Sequence, residues 1–201
     1  MNIAILKYNL KKIYIVMLSL MFATIFCLML SGCSDDDWAN YEEKIEDVSI
    51  RLENSIYKFD ECQEELKIIC NKYAQNLLLV HAEYVFSKGS EDYAIISLSE
   101  NYEKDNAGYT VLCELYVDID KNTVTKIKYI NGHSKRVSSY SRKLDNINGM
   151  RADELYANIM EELSRDKAKD VEKTQISYYN DRVNINCYDD KGENIYCASR
   201  S

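Results

Sequence analysis

Residues 38–80 read WANYEEKIEDVSIRLENSIYKFDECQEELKIICNKYAQNLLLV. How this stretch is read decides the fold. Counting heptads from Trp38 places Trp38, Ile45, Leu52, Phe59, Leu66, Tyr73 and Val80 at position a. All are apolar. Tyr41, Val48, Cys62 and Ile69 fill most of the d positions, while Ser55 and Asn76 break the row. Acids and lysines lie between them, which is the pattern of a helix with a period near 3.5 and one wet face. Asp60 to Gln63 has the form of a capping box opening a second helix. The a/d phase nevertheless runs unbroken through Phe59, Cys62 and Leu66, so the pattern predicts one continuous helix. A rod from 38 to 80 would be about 64 Å long, against about 40 Å for the diameter of a compact domain this size. Its overhang would be a stalk or a seam for a partner helix formed by Trp38, Ile45, Leu52 and Phe59, unless it packs on the protein's own sheet.

Outward from this stretch the period changes. Residues 77–86 read equally as helix end and first strand, and Ser87 to Ser90 breaks them. Tyr93 to Ser99 is strand-like. Tyr109, Val111, Cys113, Leu115, Val117 and Ile119 alternate, the clearest strand signal in the chain. Asp120-Lys121-Asn122 turns it into Thr123–Ile130. Segment 131–149 is polar and irregular. Leu155, Ile159 and Leu163 predict a short helix. Gln175–Tyr179, Arg182–Tyr188 and Glu193–Cys197 predict a terminal β-meander, with turns at Asn180-Asp181 and at 189–192. The expected class is α+β: a long N-terminal heptad helix, antiparallel strands, a short helix and a C-terminal β-meander. The expected organisation is a leader over 1–32, a tether over 33–37, a long helix over 38–86 and an antiparallel part over 87–201 of the same domain. ELYVDIDKNTVTKIKY (114–129) resembles the strand pair of PepSY-type exported domains, without their turn glycine; the likeness implies a hairpin and no activity.

The leader has its own grammar. Lys7, Lys11 and Lys12 precede an uncharged run from Ile13 to Leu30, and small residues follow. Leu30-Ser31-Gly32-Cys33 resembles the bacterial lipobox. That resemblance implies cleavage before Cys33 and lipid on its thiol, with two or three acyl chains holding where one would not. Ser34-Asp35-Asp36-Asp37 resembles the surface-export signal of Bacteroidetes-type lipoproteins. The expected location is therefore extracytoplasmic, on an outer membrane or cell surface, with a membrane partner through the lipid anchor.

Composition limits the partners. Without the leader, 22 basic side chains face 33 acidic ones. Such a chain lacks the basic surface that displaces counterions from phosphates, so nucleic acid is not expected. Lys135, Arg136, Arg142 and Lys143 form the one basic cluster. Tyr178, Tyr179, Tyr188 and Tyr196 could stack sugars, although tyrosine is also a favoured strand residue. Asp118 to Asn122 opens like a calcium loop, but Thr123 and Tyr129 stand where glycine and glutamate are required. His81 and His133 have no supporting motif. No catalytic residue, metal or cofactor is expected.

Five cysteines follow Cys33. Cys62 and Cys70 on one helix would stand about 12 Å apart, beyond disulfide reach. Cys187 and Cys197 flank one hairpin and face each other if its loop has five residues, which makes them the candidate disulfide. The sequence thus predicts a non-enzymatic, lipid-anchored module for a protein or glycan partner, with homo-oligomers forming through the helix. The alternative is a carboxylate-using enzyme acting on cell-envelope polymers.

Overall fold

Alternation along Ala107–Asp118 buries Val111, Cys113, Leu115 and Val117 on one side of a strand, and that strand lies near the middle of a sheet. The computed structural model describes residues 38–104, 107–134, 144, 151–180 and 182–200. Among these, the elements are β1 (Trp38–Arg51), α1 (Phe59–Cys70), β2 (Leu78–Ser87), β3 (Tyr93–Lys104), β4 (Ala107–Asp118), β5 (Thr123–Ser134), α2 (Ala152–Glu162), α3 (Arg165–Asp170), β6 (Lys173–Tyr179), β7 (Arg182–Tyr188) and β8 (Asn194–Arg200). The strands form one eight-stranded sheet in the order β1-β5-β4-β3-β2-β6-β7-β8. Every neighbouring pair is antiparallel.

The long helix of the heptad reading is not what this stretch forms. Residues 38–86 make an edge strand, a 12-residue helix and an inner strand instead. The physical reason lies in parity. Seven is odd, so successive a residues of a strand point to opposite faces. Ile45 is 58 % exposed on β1, whereas Leu52, the next a residue, is buried just beyond the strand. Phe59 is the first residue of α1 and Trp38 the first of β1. Trp38, Ile45, Leu52 and Phe59 therefore do not lie along one helix, and the continuous heptad helix expected to carry a partner seam is absent from the described residues. What draws 38–51 into a strand is β5, whose outer edge it covers from Trp38↔Ser134 to Arg51↔Thr123.

The helices bury one stripe each. Cys62, Leu66 and Cys70 recur at i, i+4 and i+8 on α1, and Leu155 and Ile159 do so on α2. They share one core with the inward residues of the sheet, including Ala82, Tyr84, Ile96, Leu98, Ile127, Ile176 and Ile185. Fully covering one such side chain contributes roughly 1.5–3 kcal/mol. Phe86 stacks on Tyr156 at 4.4 Å, and Tyr73, just after α1, stacks on Tyr129 at 4.8 Å. Thus α1 lies over the β4–β5 side and α2 over the β2–β6 side.

One asparagine joins the edge to the interior. Asn122 sits in the β4–β5 turn with φ of 48°. Its Oδ1 accepts from Ile56 N (3.2 Å), and its Nδ2 donates to Leu52 O (3.1 Å) and Asn54 O (2.9 Å). Its own carbonyl accepts from Leu52 N at 2.9 Å. The calcium-like segment is a hairpin turn held by Asp118, whose Oδ1 accepts from Lys121 N at 2.9 Å.

Candidate functional site

The three described helices pack on one face of the sheet, so the other face is the broadest surface free of helix among the described residues. Its rows follow from the register. One runs Ile45, Lys128, Glu114, Ser97, His81 and Tyr179 across β1, β5, β4, β3, β2 and β6. The adjacent row runs Asp47, Lys126, Tyr116, Ile95, Glu83 and Ser177. Tyr93, Gln175 and Asn186 continue the face toward one end. These residues sit here because each is one register step from a core residue: Glu114 lies between Cys113 and Leu115, and Ser97 between Ile96 and Leu98.

Contacts within the face are lateral. Lys126 Nζ stands 5.3 Å from the ring centre of Tyr116, and Lys173 Nζ 4.6 Å from that of Tyr188. Lys128 Nζ is 3.6 Å from Glu43. The His81 ring meets Tyr179 edge-on at 6.5 Å. Burial pushes the Glu114 carboxyl up, with Lys128 opposing and Glu43 and Glu83 assisting. Burial likewise pushes His81 down, so its imidazole favours the neutral form. Val85, Leu112 and Ile130 also belong to this face and are covered. The face thus combines covered apolar residues, tyrosine rings and alternating charges, and tyrosine is a residue enriched at protein interfaces.

Shallow clefts border the fold among the described residues. One of about 290 Å³ is lined by Tyr73, Asn76, Glu100, Tyr102 and Asn131, with Asn76 N donating to Glu100 at 2.8 Å. Another of about 260 Å³, between Asp92, Tyr93, Tyr116, Asp118 and Lys126, opens beside the helix-free face. Both fall below the range typical of sites that enclose a small molecule.

The residues singled out in the sequence are scattered. Leu30, Ser31, Gly32, Cys33, Ser34, Asp35, Asp36 and Asp37 lie outside the described residues, as do Lys135, Arg136, Arg142 and Lys143. Cys187 and Cys197 do not face each other. A shift near Ile195 pairs Cys187 with Tyr196 and Cys197 with Asn186, which turns the two side chains to opposite faces. Cys187 is buried, 3.6 Å from Thr174 Oγ1, and Cys197 is exposed. Of the four tyrosines, Tyr178 is in the core, whereas Tyr179 and Tyr188 reach the helix-free face. His81 belongs to β2 and His133 to β5, where it pairs with Ala39. Glu114, Tyr116, Lys126 and Lys128 were missed. Their signal was present: they are the polar partners in the alternation that marks β4 and β5 as strands.

No known family model matches the chain, and no curated protein matches it. The crystal structure of an acyl-ACP thioesterase from Bacteroides thetaiotaomicron is similar over 78 % of this chain and 96 % of that one, at 8 % identity and a TM-score of 0.24. A likeness that slight carries no argument about fold or activity.

Proposed function

We propose that the chain is a lipoprotein, cut before Cys33 and held by lipid on that cysteine outside the cytoplasm, whose sheet binds a protein partner across its helix-free face. The observation that supports binding is the one-sided packing of the described helices, which leaves Tyr116, Ile95, Lys126, Lys128 and Glu83 side by side with none of those helices over them. The support for anchoring is the order of lysines, apolar run, Leu30-Ser31-Gly32-Cys33 and acidic flank in the sequence. Ser34 to Asp37 then directs the protein to the cell surface in a Bacteroidetes-type host.

A photo-crosslinking residue at position 95 in intact cells tests the binding surface, with position 68 as control because Ile68 is 67 % exposed on the helix side. A discrete protein adduct from 95 and not from 68 is expected. Identical patterns from both positions would overturn the proposal, and an adduct removed by glycosidase would replace the protein partner with a glycan. For the anchor, Cys33→Ser should abolish labelling by a radioactive fatty acid; a variant that still labels at wild-type level would refute lipidation there. Changing Asp35, Asp36 and Asp37 to alanine should lower digestion by external protease while membrane attachment persists. The enzymatic alternative draws on one observation, the raised carboxyl of Glu114 near Glu43 and Glu83. It requires that Glu114→Gln abolish turnover of a cell-envelope polymer.

A further inference from the structure

Two buried thiols from distant parts of the chain meet beneath α1. Cys70 closes that helix, and Tyr73 N donates to its carbonyl at 2.9 Å. Tyr73 stacks on Tyr129 at 4.8 Å, and Tyr129 is the direct cross-strand partner of Cys113. These contacts bring the last turn of α1 over the centre of β4, where Cys70 and Cys113 share one core as free thiols and the neighbouring Cys70 pushes the Cys113 thiol up. Both are fully buried. The remaining core cysteines are engaged elsewhere: Cys187 with Thr174, and Cys62 two turns earlier on α1.

We propose that Cys70 and Cys113 are the disulfide-forming pair of this protein, joined during folding by a disulfide-bearing oxidant. Each step conserves electrons. One cysteine thiolate attacks a sulfur of the oxidant's disulfide, forms a mixed disulfide and releases one oxidant thiol. The second cysteine, as thiolate, attacks the protein sulfur of that mixed disulfide. The Cys70–Cys113 bond forms and the second oxidant thiol leaves; two protons pass to water or to the departing thiolates, and the oxidant is reduced to two thiols. Timing follows from burial. Exchange needs an accessible thiolate, whereas in the folded chain the neighbouring Cys70 thiol and burial hold Cys113 in the thiol form. The bond must therefore close before α1 settles on the sheet. Its occurrence in the cell rests on the export proposed above, since disulfides persist where the compartment is oxidising.

The test supplies its own oxidant and so does not depend on export. The full chain, reduced and denatured, is refolded in detergent with oxidised and reduced glutathione, then alkylated and mapped by mass spectrometry. A peptide joining Cys70 to Cys113 is expected. The closed loop of about 43 residues should raise Tm by about 10 °C over protein refolded fully reduced. Cys70→Ser and Cys113→Ser should each remove the joined peptide and the rise. Alkylation of both positions in oxidatively refolded protein, or joining of either to Cys62 or Cys187, overturns the proposal. Should the serine variants fail to fold, the wild-type peptide map decides alone. A bond that forms in glutathione but is absent from the protein isolated from its cells counts against export and leaves the pair intact.

Discussion

β1 and β4 are both long strands of one sheet, yet they are held by different forces. β4 has neighbours on both sides and sends Val111, Cys113, Leu115 and Val117 into the core. β1 has one neighbour, and its side chains include Glu42, Glu43, Lys44, Glu46 and Asp47. Its ion pairs Lys44–Glu42 at 2.6 Å and Lys72–Glu46 are exposed, Lys128–Glu43 is half-exposed and long at 3.6 Å, and all contribute little. The backbone ladder to β5, partial packing of Val48 and the Asn122 bonds hold it in place. The charges have a second use, because an edge studded with them resists pairing with another chain's strand. A sheet can thus recruit an unpromising sequence at its rim if its interior is strong enough.

The difference should be measurable by truncation. Leu115→Ala in β4 should cost about 3 kcal/mol, the usual cost of removing a buried leucine side chain. Leu52→Ala should cost about the same. Ile45→Ala, at the neighbouring heptad position but exposed, should cost less than about 0.5 kcal/mol. Urea midpoints at constant slope provide the values. Equal losses at Ile45 and Leu52 would restore the heptad interpretation and abolish the contrast between rim and interior.

Asn122 sharpens the contrast at the next lower magnitude. Asn122→Ala removes bonds to Ile56 N, Leu52 O and Asn54 O and places alanine at positive φ, so a loss of about 2 kcal/mol is expected. Asn122→Gly tolerates the φ and should lose somewhat less. Hydrogen exchange should show β1 amides losing protection first while β4 amides keep theirs. Uniform loss across both strands would mean that β1 is no less firmly held than the interior.

The same contrast explains what the sequence revealed. β4 and β7 were legible because burial on one face enforces a period of two; β7 spans Arg182–Tyr188, the range its alternation predicted. The short helix was legible from Leu155, Ile159 and Leu163, all buried. At residues 38–51 the pattern came from few apolar residues among many charges, and the decisive partner, β5, lies about 80 residues away along the chain. The capping signal at Asp60–Gln63 fell near a helix start but not on it: α1 begins at Phe59 with Lys58 as its N-cap and no side-chain cap. The unbroken a/d phase outweighed it, although a spacing of seven cannot distinguish a heptad seam from residues on alternate faces of a strand. The helix-free face was hidden for a related reason: its residues are the polar half of the alternation, and alternation alone does not say which strands lie side by side.

The smallest effect concerns two carboxylates, one on each strand. On β1 a hydrogen bond from Lys72 holds Glu46 below the usual glutamate range; on β4 burial pushes Glu114 above it. Their contributions run in opposite directions with pH. Glu46 is depressed, so its contribution is present above the unfolded glutamate pKa of about 4.3 and disappears as pH falls through its folded value. Glu114 is raised, so the folded chain takes up a proton before the unfolded chain does. Its ionisation destabilises the fold above the raised value, and stability is gained as pH falls from there to about 4.3. At pH 7, Glu114→Gln should therefore be the more stable protein, by less than about 1 kcal/mol once solvent screening is allowed for. The advantage should shrink to nothing as acid protonates the wild-type carboxyl. Glu46→Gln should be slightly less stable at pH 7 and indistinguishable from wild type in acid. Urea unfolding of the three proteins from about pH 2 to about pH 8 measures both differences, the acid end being needed for the depressed Glu46. A Glu114→Gln protein less stable than wild type at pH 7 would mean that attraction to Lys128 outweighs burial, and that β4 holds its carboxylate as β1 does.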